Sequence, residues 1–169
     1  MNTLDRRLIH YSKKPLTDVR TVEQTEDRRS GIGKPLGLWV SCEGDDDWPS
    51  WCKSEKFGAP FDHATEIKLW RTAPVLHISD ATQLRIFNER FSRPDRSHSL
   101  DRIDWGKVAQ AYHGVIISPY LYDCRLDHDV FWYYTWDCAS GCIWNAKAIK
   151  ELTPLQSPLD NGVAPYYIV

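Results

Sequence analysis

Two short apolar runs that end in polar or aromatic residues are the clearest pattern in this chain. Leu8 to Ser12 (LIHYS) and Gly37 to Ser41 (GLWVS) each predict a β-strand. Hydroxyl-bearing and aromatic side chains stand where apolar ones are usual, so we expect both strands to present polar groups to one ligand. The polar, glycine-punctuated stretch over residues 21–34 has no apolar face to bury and predicts a mobile loop that closes over that ligand.

Helical periodicity and capping residues predict three helices. Asp47, Asp80 and Asp104 are the predicted N-caps, and Gln83 completes a capping box with Asp80. The third helix is predicted to end at Gly114. The positions that recur on one face after these caps are Trp48, Trp51, Cys52 and Glu55, then Leu84, Phe87 and Phe91, then Trp105, Val108, Ala109 and Tyr112.

Further strands and short helical segments alternate irregularly along the rest of the chain. Strands are predicted over residues 66–71, 75–78, 114–117, 141–145 and 166–169, and a helical turn or ordered connection over 146–152. The aromatic run 129–137 suits either a strand or a helix. Without regular βαβ alternation, we expect one α+β domain over residues 1–169, with a split or mixed, mostly antiparallel sheet and short flanking helices. Residues 153–169 predict an irregular C-terminal segment.

Composition narrows the class of protein. The 169 residues include 21 Lys and Arg against 23 Asp and Glu. The protein therefore has no overall positive electrostatic field that would attract nucleic acid or an acidic membrane. No apolar run approaches the roughly 20 residues that span a bilayer, and the first residues contain no apolar leader segment. Five cysteines form an odd set, which favours reduced thiols. We therefore expect a soluble, cytoplasmic protein.

The two opening strands match a known family in their residue order. LIHYS resembles the first strand of the ADP-ribosyltransferase fold, in which a His followed two positions later by Ser or Thr holds the adenosine ribose and nicotinamide amide of NAD. GLWVS resembles that fold's second motif, whose aromatic ring stacks on nicotinamide. The resemblance implies NAD binding and transfer of ADP-ribose to a protein or nucleic acid. It assigns the NAD contacts to His10, Tyr11, Ser12, Gly37, Trp39 and Ser41.

A third stretch resembles the family's catalytic strand. In the family a helix with an inward aromatic follows the second motif. Trp48 and Trp51 occupy that helix in this chain, and the resemblance assigns Trp51 as an NAD contact. The catalytic strand then presents a Glu that stabilises the developing charge on the ribose as nicotinamide leaves. Residues 140–145 (SGCIWN) resemble this strand, but the matching position holds Ser140 and the nearest carboxylate is Asp137. The resemblance therefore gives the electrostatic role to Asp137 or Ser140.

Other functions remain open from the residues alone. The absent Glu favours a non-catalytic protein of the same fold that modulates a host partner, and small tryptophan-rich chains of this kind resemble proteins of phages or mobile elements. Basic clusters at residues 6–7, 13–14 and 28–29 suit a single nucleic-acid strand. A four-thiolate zinc site needs Cys42, Cys52, Cys138 and Cys142. A cysteine hydrolase needs Cys138 or Cys142 beside His113 or His128. His128, between two aspartates, would also suit a metal or a general base.

Overall fold

Seven strands within the described part of the chain form one curled, mixed β-sheet. The computed structural model describes residues 6–25, 33–58, 61–96, 100 and 102–156. The strands are β1 (Leu8–Ser12), β2 (Leu38–Cys42), β3 (His63–Leu69), β4 (Val75–Ile78), β5 (Gly114–Ile117), β6 (Ser140–Ile143) and β7 (Ile149–Pro154). The sheet order is β4-β5-β6-β2-β1-β3-β7, and the pair β4–β5 is parallel while the other neighbouring pairs are antiparallel. This confirms the α+β class with a mixed, mostly antiparallel sheet.

Three α-helices begin at the predicted aspartate caps. They are α1 (Trp48–Glu55), α2 (Ala81–Phe91) and α3 (Trp105–Ala111). Each aspartate accepts a hydrogen bond from a backbone amide in the first turn, at 2.9 Å for Asp47, 2.8 Å for Asp80 and 3.0 Å for Asp104. These bonds satisfy amides that the helix itself leaves without acceptors. Helices α2 and α3 form the crossover that the parallel pair β4–β5 requires.

An aromatic-rich core fills the space between the sheet, α2, α3 and the 3-10 segment His128–Thr135. Four of the eight tryptophans are buried there: Trp105, Trp132, Trp136 and Trp144. Two of the indoles donate hydrogen bonds within this core, Trp132 to the Asn88 side chain at 3.1 Å and Trp144 to the Tyr112 carbonyl at 2.8 Å. The predicted inward faces of α2 and α3 are confirmed by the burial of Leu84, Phe87, Phe91, Trp105 and Val108.

Several predicted boundaries are wrong, and non-local contacts explain why. Most of the segment 146–152 is strand β7, because it pairs with β3, and only Ala146–Ala148 is helical. Helix α3 ends at Ala111, and its C-cap Tyr112 is already in extended backbone, so Gly114 is no helix terminus. Gly114 instead allows close packing, since a Cβ there would lie 2.8 Å from the Cys142 carbonyl oxygen on β6. The predicted strand 166–169 and residues 26–32 of the predicted loop lie outside the described residues.

Candidate functional site

Strands β1, β2 and β6 lie side by side at the centre of the sheet. Ile9 of β1 pairs with Ser41 of β2, and Ser41 pairs with Ser140 of β6. Paired residues point to the same face of a sheet, so these three side chains form a row across it. The three sequence stretches that resemble one family therefore meet on adjacent strands, although about 100 residues separate the second from the third.

A cavity of about 390 Å³ opens over this row. Six of the nine residues predicted for the site line it, namely His10, Tyr11, Trp39, Ser41, Asp137 and Ser140. The lining also contains Lys34, Trp48, Phe57 and Cys138, none of which the resemblance assigns as an NAD contact. Its walls thus combine aromatic and aliphatic side chains with several polar ones, among them one lysine and one carboxylate in the described lining. Such a mixture of apolar surface with a few polar groups is typical of small-molecule sites.

Three predicted site residues lie outside the cavity lining. The Ser12 hydroxyl donates to the Lys14 carbonyl oxygen at 2.7 Å. Trp51 stacks on Trp48 with ring centres 5.1 Å apart, so it supports a lining residue from behind. Gly37 has φ +154°, and a Cβ on it would lie 2.6 Å from the Ile143 carbonyl oxygen. The glycine therefore allows β2 to approach β6.

Backbone contacts between β1 and β2 hold the His10 imidazole in one tautomer. His10 Nδ1 donates to the Trp39 carbonyl oxygen at 2.7 Å. A carbonyl oxygen only accepts, so the hydrogen of the neutral ring is on Nδ1, and Nε2 is an acceptor for a ligand hydroxyl or amide. On the same strand, burial raises the pKa of Tyr11 to about 12, which keeps its phenol neutral. The Tyr11 ring rests edge-on against Phe61, with 5.2 Å between ring centres.

Both serines of the central row already hold a backbone partner. Ser41 Oγ accepts from the Trp48 amide at 2.9 Å, which secures the first turn of α1 against β2. Its hydroxyl hydrogen is therefore available to an acceptor in the cavity. The Ser140 hydroxyl donates its hydrogen to the Cys138 carbonyl oxygen at 3.0 Å. Ser140 consequently offers only its oxygen lone pairs to a ligand.

Asp137 supplies the negative charge of the cavity, and Lys34 faces it. Lys34 Nζ lies 3.9 Å from Asp137 Oδ2 and 5.0 Å from the centre of the Trp39 ring. Burial raises the pKa of Asp137, and the neighbouring lysine opposes that rise. Burial also lowers the pKa of Lys34, against the attraction of Asp137. The two opposite charges therefore stabilise each other in a partly dehydrated site.

The sequence did not predict that Lys34 would contact Trp39 and Asp137, because the position of the lysine depends on hydrogen bonds to distant parts of the chain. The Gly33 carbonyl oxygen accepts from Trp105 Nε1 at 2.7 Å. The Leu36 amide donates to Gln24 Oε1 at 2.9 Å. These bonds bring the end of the predicted loop over β2. The only local signal was that the lysine lies a few residues before the strand that carries Trp39.

The geometry does not support the cysteine-hydrolase hypothesis or the zinc-site hypothesis. All five cysteines are free and buried. Burial raises the pKa of Cys138 to about 12 and also raises that of Cys142, which opposes formation of a nucleophilic thiolate. His128 stacks on Phe131 on the far 3-10 segment. Within the part of the chain that the structure describes, no group of three His, Cys, Asp or Glu side chains is arranged to hold a metal ion.

A second, wider groove of about 840 Å³ contains part of the basic surface. Arg6 and Arg7 line it, but Arg6 pairs with Asp46, and Arg7 pairs with both Glu43 and Glu66 at 3.2 Å. These carboxylates neutralise much of the charge that phosphates would need. The arginine pair at residues 6–7 is therefore already matched by carboxylates. The basic cluster at residues 28–29 lies outside the described residues.

Comparison with known proteins gives no relative. No family model, no curated protein and no solved structure matches the chain. The longest helix described, α2 with 11 residues, is well short of a membrane span, and no helix in the described ranges is long and apolar enough to cross a membrane.

Proposed function

We propose that the chain is an ADP-ribosyltransferase-like protein that binds NAD in the cavity over β1, β2 and β6. The observation that supports this is the convergence of His10, Trp39 and Asp137 on one cavity, since the three come from distant parts of the sequence. The Trp39 ring provides the face on which a flat cationic ring stacks. His10 Nε2 and the Ser41 hydroxyl provide an acceptor and a donor for ribose hydroxyls or the carboxamide.

The proposed reaction moves ADP-ribose to a macromolecular acceptor, either a protein or a nucleic acid. The bond between the nicotinamide nitrogen and the ribose C1 breaks, and its electron pair leaves with nicotinamide. A nucleophile of the acceptor forms the new bond to C1 and loses its proton. The ionised Asp137 carboxylate stabilises the positive charge that develops on the ribose. Ser140 is the weaker candidate for this role, because it is uncharged and its hydrogen is donated to Cys138.

Release of nicotinamide from NAD tests this function directly. We expect the wild-type chain to release nicotinamide and to label an acceptor in a cell lysate, with the label carried on the ADP-ribose part. Asp137→Asn removes the charge without changing the side-chain shape, so it lowers the rate by tenfold or more while NAD still binds. The matched control is Asp18→Asn, an exposed aspartate whose side chain is 69% accessible. Equal rates for wild type and Asp137→Asn would refute the catalytic assignment.

A second candidate is a binding protein of the same architecture without catalysis. The observation that favours it is the carboxylate itself: the described lining contains an aspartate, which pairs with Lys34, and no glutamate. In this case the cavity binds a nucleotide or a side chain of a host partner and changes the partner's activity. NAD or the partner would raise the melting temperature, with no nicotinamide released. Trp39→Ala would abolish that rise, whereas Trp70→Ala, a half-exposed tryptophan outside the cavity, would retain it.

A further inference from the structure

The face of Trp39 on which a ligand ring would stack is already covered from within the chain. Lys34 Nζ lies 5.0 Å from the centre of this ring. This is the distance at which an ammonium group is attracted to the electron-rich face of an indole. Trp136 also packs against Trp39 in a T-shaped contact, with 4.9 Å between ring centres. A ring that stacks on the face of Trp39 that Lys34 covers must therefore take the position of the lysine ammonium.

We propose that Lys34 is an internal cation that occupies the stacking position, and that the site selects ligands whose ring carries its own positive charge. This inference rests on the proposed binding of NAD. A pyridinium ring that displaces Lys34 restores the attraction to Trp39 and remains near the Asp137 carboxylate. A neutral ring of the same shape leaves Asp137 without its counter-charge. The site should therefore prefer oxidised NAD to its reduced form, whose nicotinamide ring is uncharged.

Displacement needs only the side chain to move, because the backbone on both sides of Lys34 is anchored. The Gly33 carbonyl oxygen accepts a hydrogen bond from Trp105 Nε1, and the Leu36 amide donates one to Gln24 Oε1. The lysine side chain has four rotatable bonds between this fixed backbone and its ammonium. The Lys34 side chain is only 20% accessible, so its ammonium is partly dehydrated where it lies, and this burial lowers its pKa. Moving it towards solvent recovers hydration, and this offsets part of the lost contact with Trp39.

Calorimetric titration of Lys34→Met against wild type tests the inference. The probes are oxidised NAD, reduced NAD and the 1-methylnicotinamide cation. Methionine keeps the apolar stem and removes the competing charge, so both cationic probes should bind roughly 2- to 30-fold more tightly, the range of one cation–aromatic contact. Lys34→Gln is a second variant, and melting temperatures show whether both fold. Lys147→Met, which changes an exposed lysine outside the cavity, should bind like wild type.

The outcomes separate this inference from the function on which it rests. If wild type binds oxidised NAD and Lys34→Met binds it equally or more weakly, Lys34 is no competitor and the inference is wrong, while the proposed function stands. If wild type binds both forms of NAD equally, the selection for a charged ring is refuted in the same way. If neither wild type nor the Lys34 variants bind NAD in any form, the proposed function itself is refuted. Tighter binding of the cationic probes to folded Lys34→Met supports the inference.

Discussion

Substitution of Gly37 by alanine distinguishes a structural glycine from a ligand contact. The sequence resemblance assigns Gly37 to NAD, whereas the structure places it where β2 approaches β6 outside the cavity lining. An added Cβ would lie 2.6 Å from the Ile143 carbonyl oxygen and 3.0 Å from Cys142 Sγ. Neither neighbour is the free end of a flexible chain, since one is backbone and the other is fully buried. The strands must therefore separate locally.

The cost of Gly37→Ala follows from two contributions. The backbone has φ +154°, which residues with a Cβ rarely adopt, and such strain costs about 1–3 kcal/mol. Forcing a methyl group into a packed contact costs about 1–3 kcal/mol more. The expected loss is about 2–6 kcal/mol, a large part of the roughly 5–15 kcal/mol that stabilises a domain. For a chain of this size the melting temperature should fall by about 4–24 °C.

Urea denaturation and NAD titration of the same samples make this test decisive. Ser12→Ala is the control, because it removes one hydrogen bond to the Lys14 carbonyl and should cost no more than about 1 kcal/mol. A Gly37→Ala protein with wild-type stability would refute the reasoning from close approach. If that protein also lost NAD binding, Gly37 would be a ligand contact as the sequence resemblance implies.

Three more predictions concern the helix cap, the carboxylate and the thiols. Asp47→Ala removes the acceptor of the Ser50 amide at 2.9 Å, so α1 and the domain should lose about 1–2 kcal/mol in urea denaturation; an unchanged midpoint would contradict the capping role. Nicotinamide release should fall as the pH is lowered, because Asp137 must be ionised. Since burial raises the pKa of Asp137, the fall begins at a higher pH than for an exposed aspartate, and Lys34→Met moves it higher still; a pH profile that moves the other way would be incompatible with this pairing. Burial raises the pKa of Cys42, Cys52 and Cys138 to about 12 each, so a disulfide reagent at pH 8 should react slowly with the native chain. In urea the same reagent should react readily with all five thiols. Rapid reaction of the native protein would show that these thiols are accessible.

Local signals in the sequence were sufficient for most of the elements. The strands β1, β2, β4 and β5 and the three aspartate caps depend on residues within a few positions of each other, and the structure confirms them. The strand β7 was missed because its partner β3 is about 80 residues away and proline-rich flanks suggested an irregular tail. The run 129–137 stayed undecided because nearly continuous aromatics carry no period.

Local sequence likewise predicted only part of the candidate site. The local sequence pointed to the candidate site residues: a histidine and hydroxyls on one strand, an aromatic ring and a serine on the next, and a carboxylate near the third. Tertiary structure decided which of them share a cavity, because strand pairing of β1, β2 and β6 joins positions that lie far apart along the chain. It also brought Lys34 onto Trp39 and opposite Asp137. No periodicity or motif encodes that contact, since it results from hydrogen bonds that anchor the loop to α3 and to Gln24.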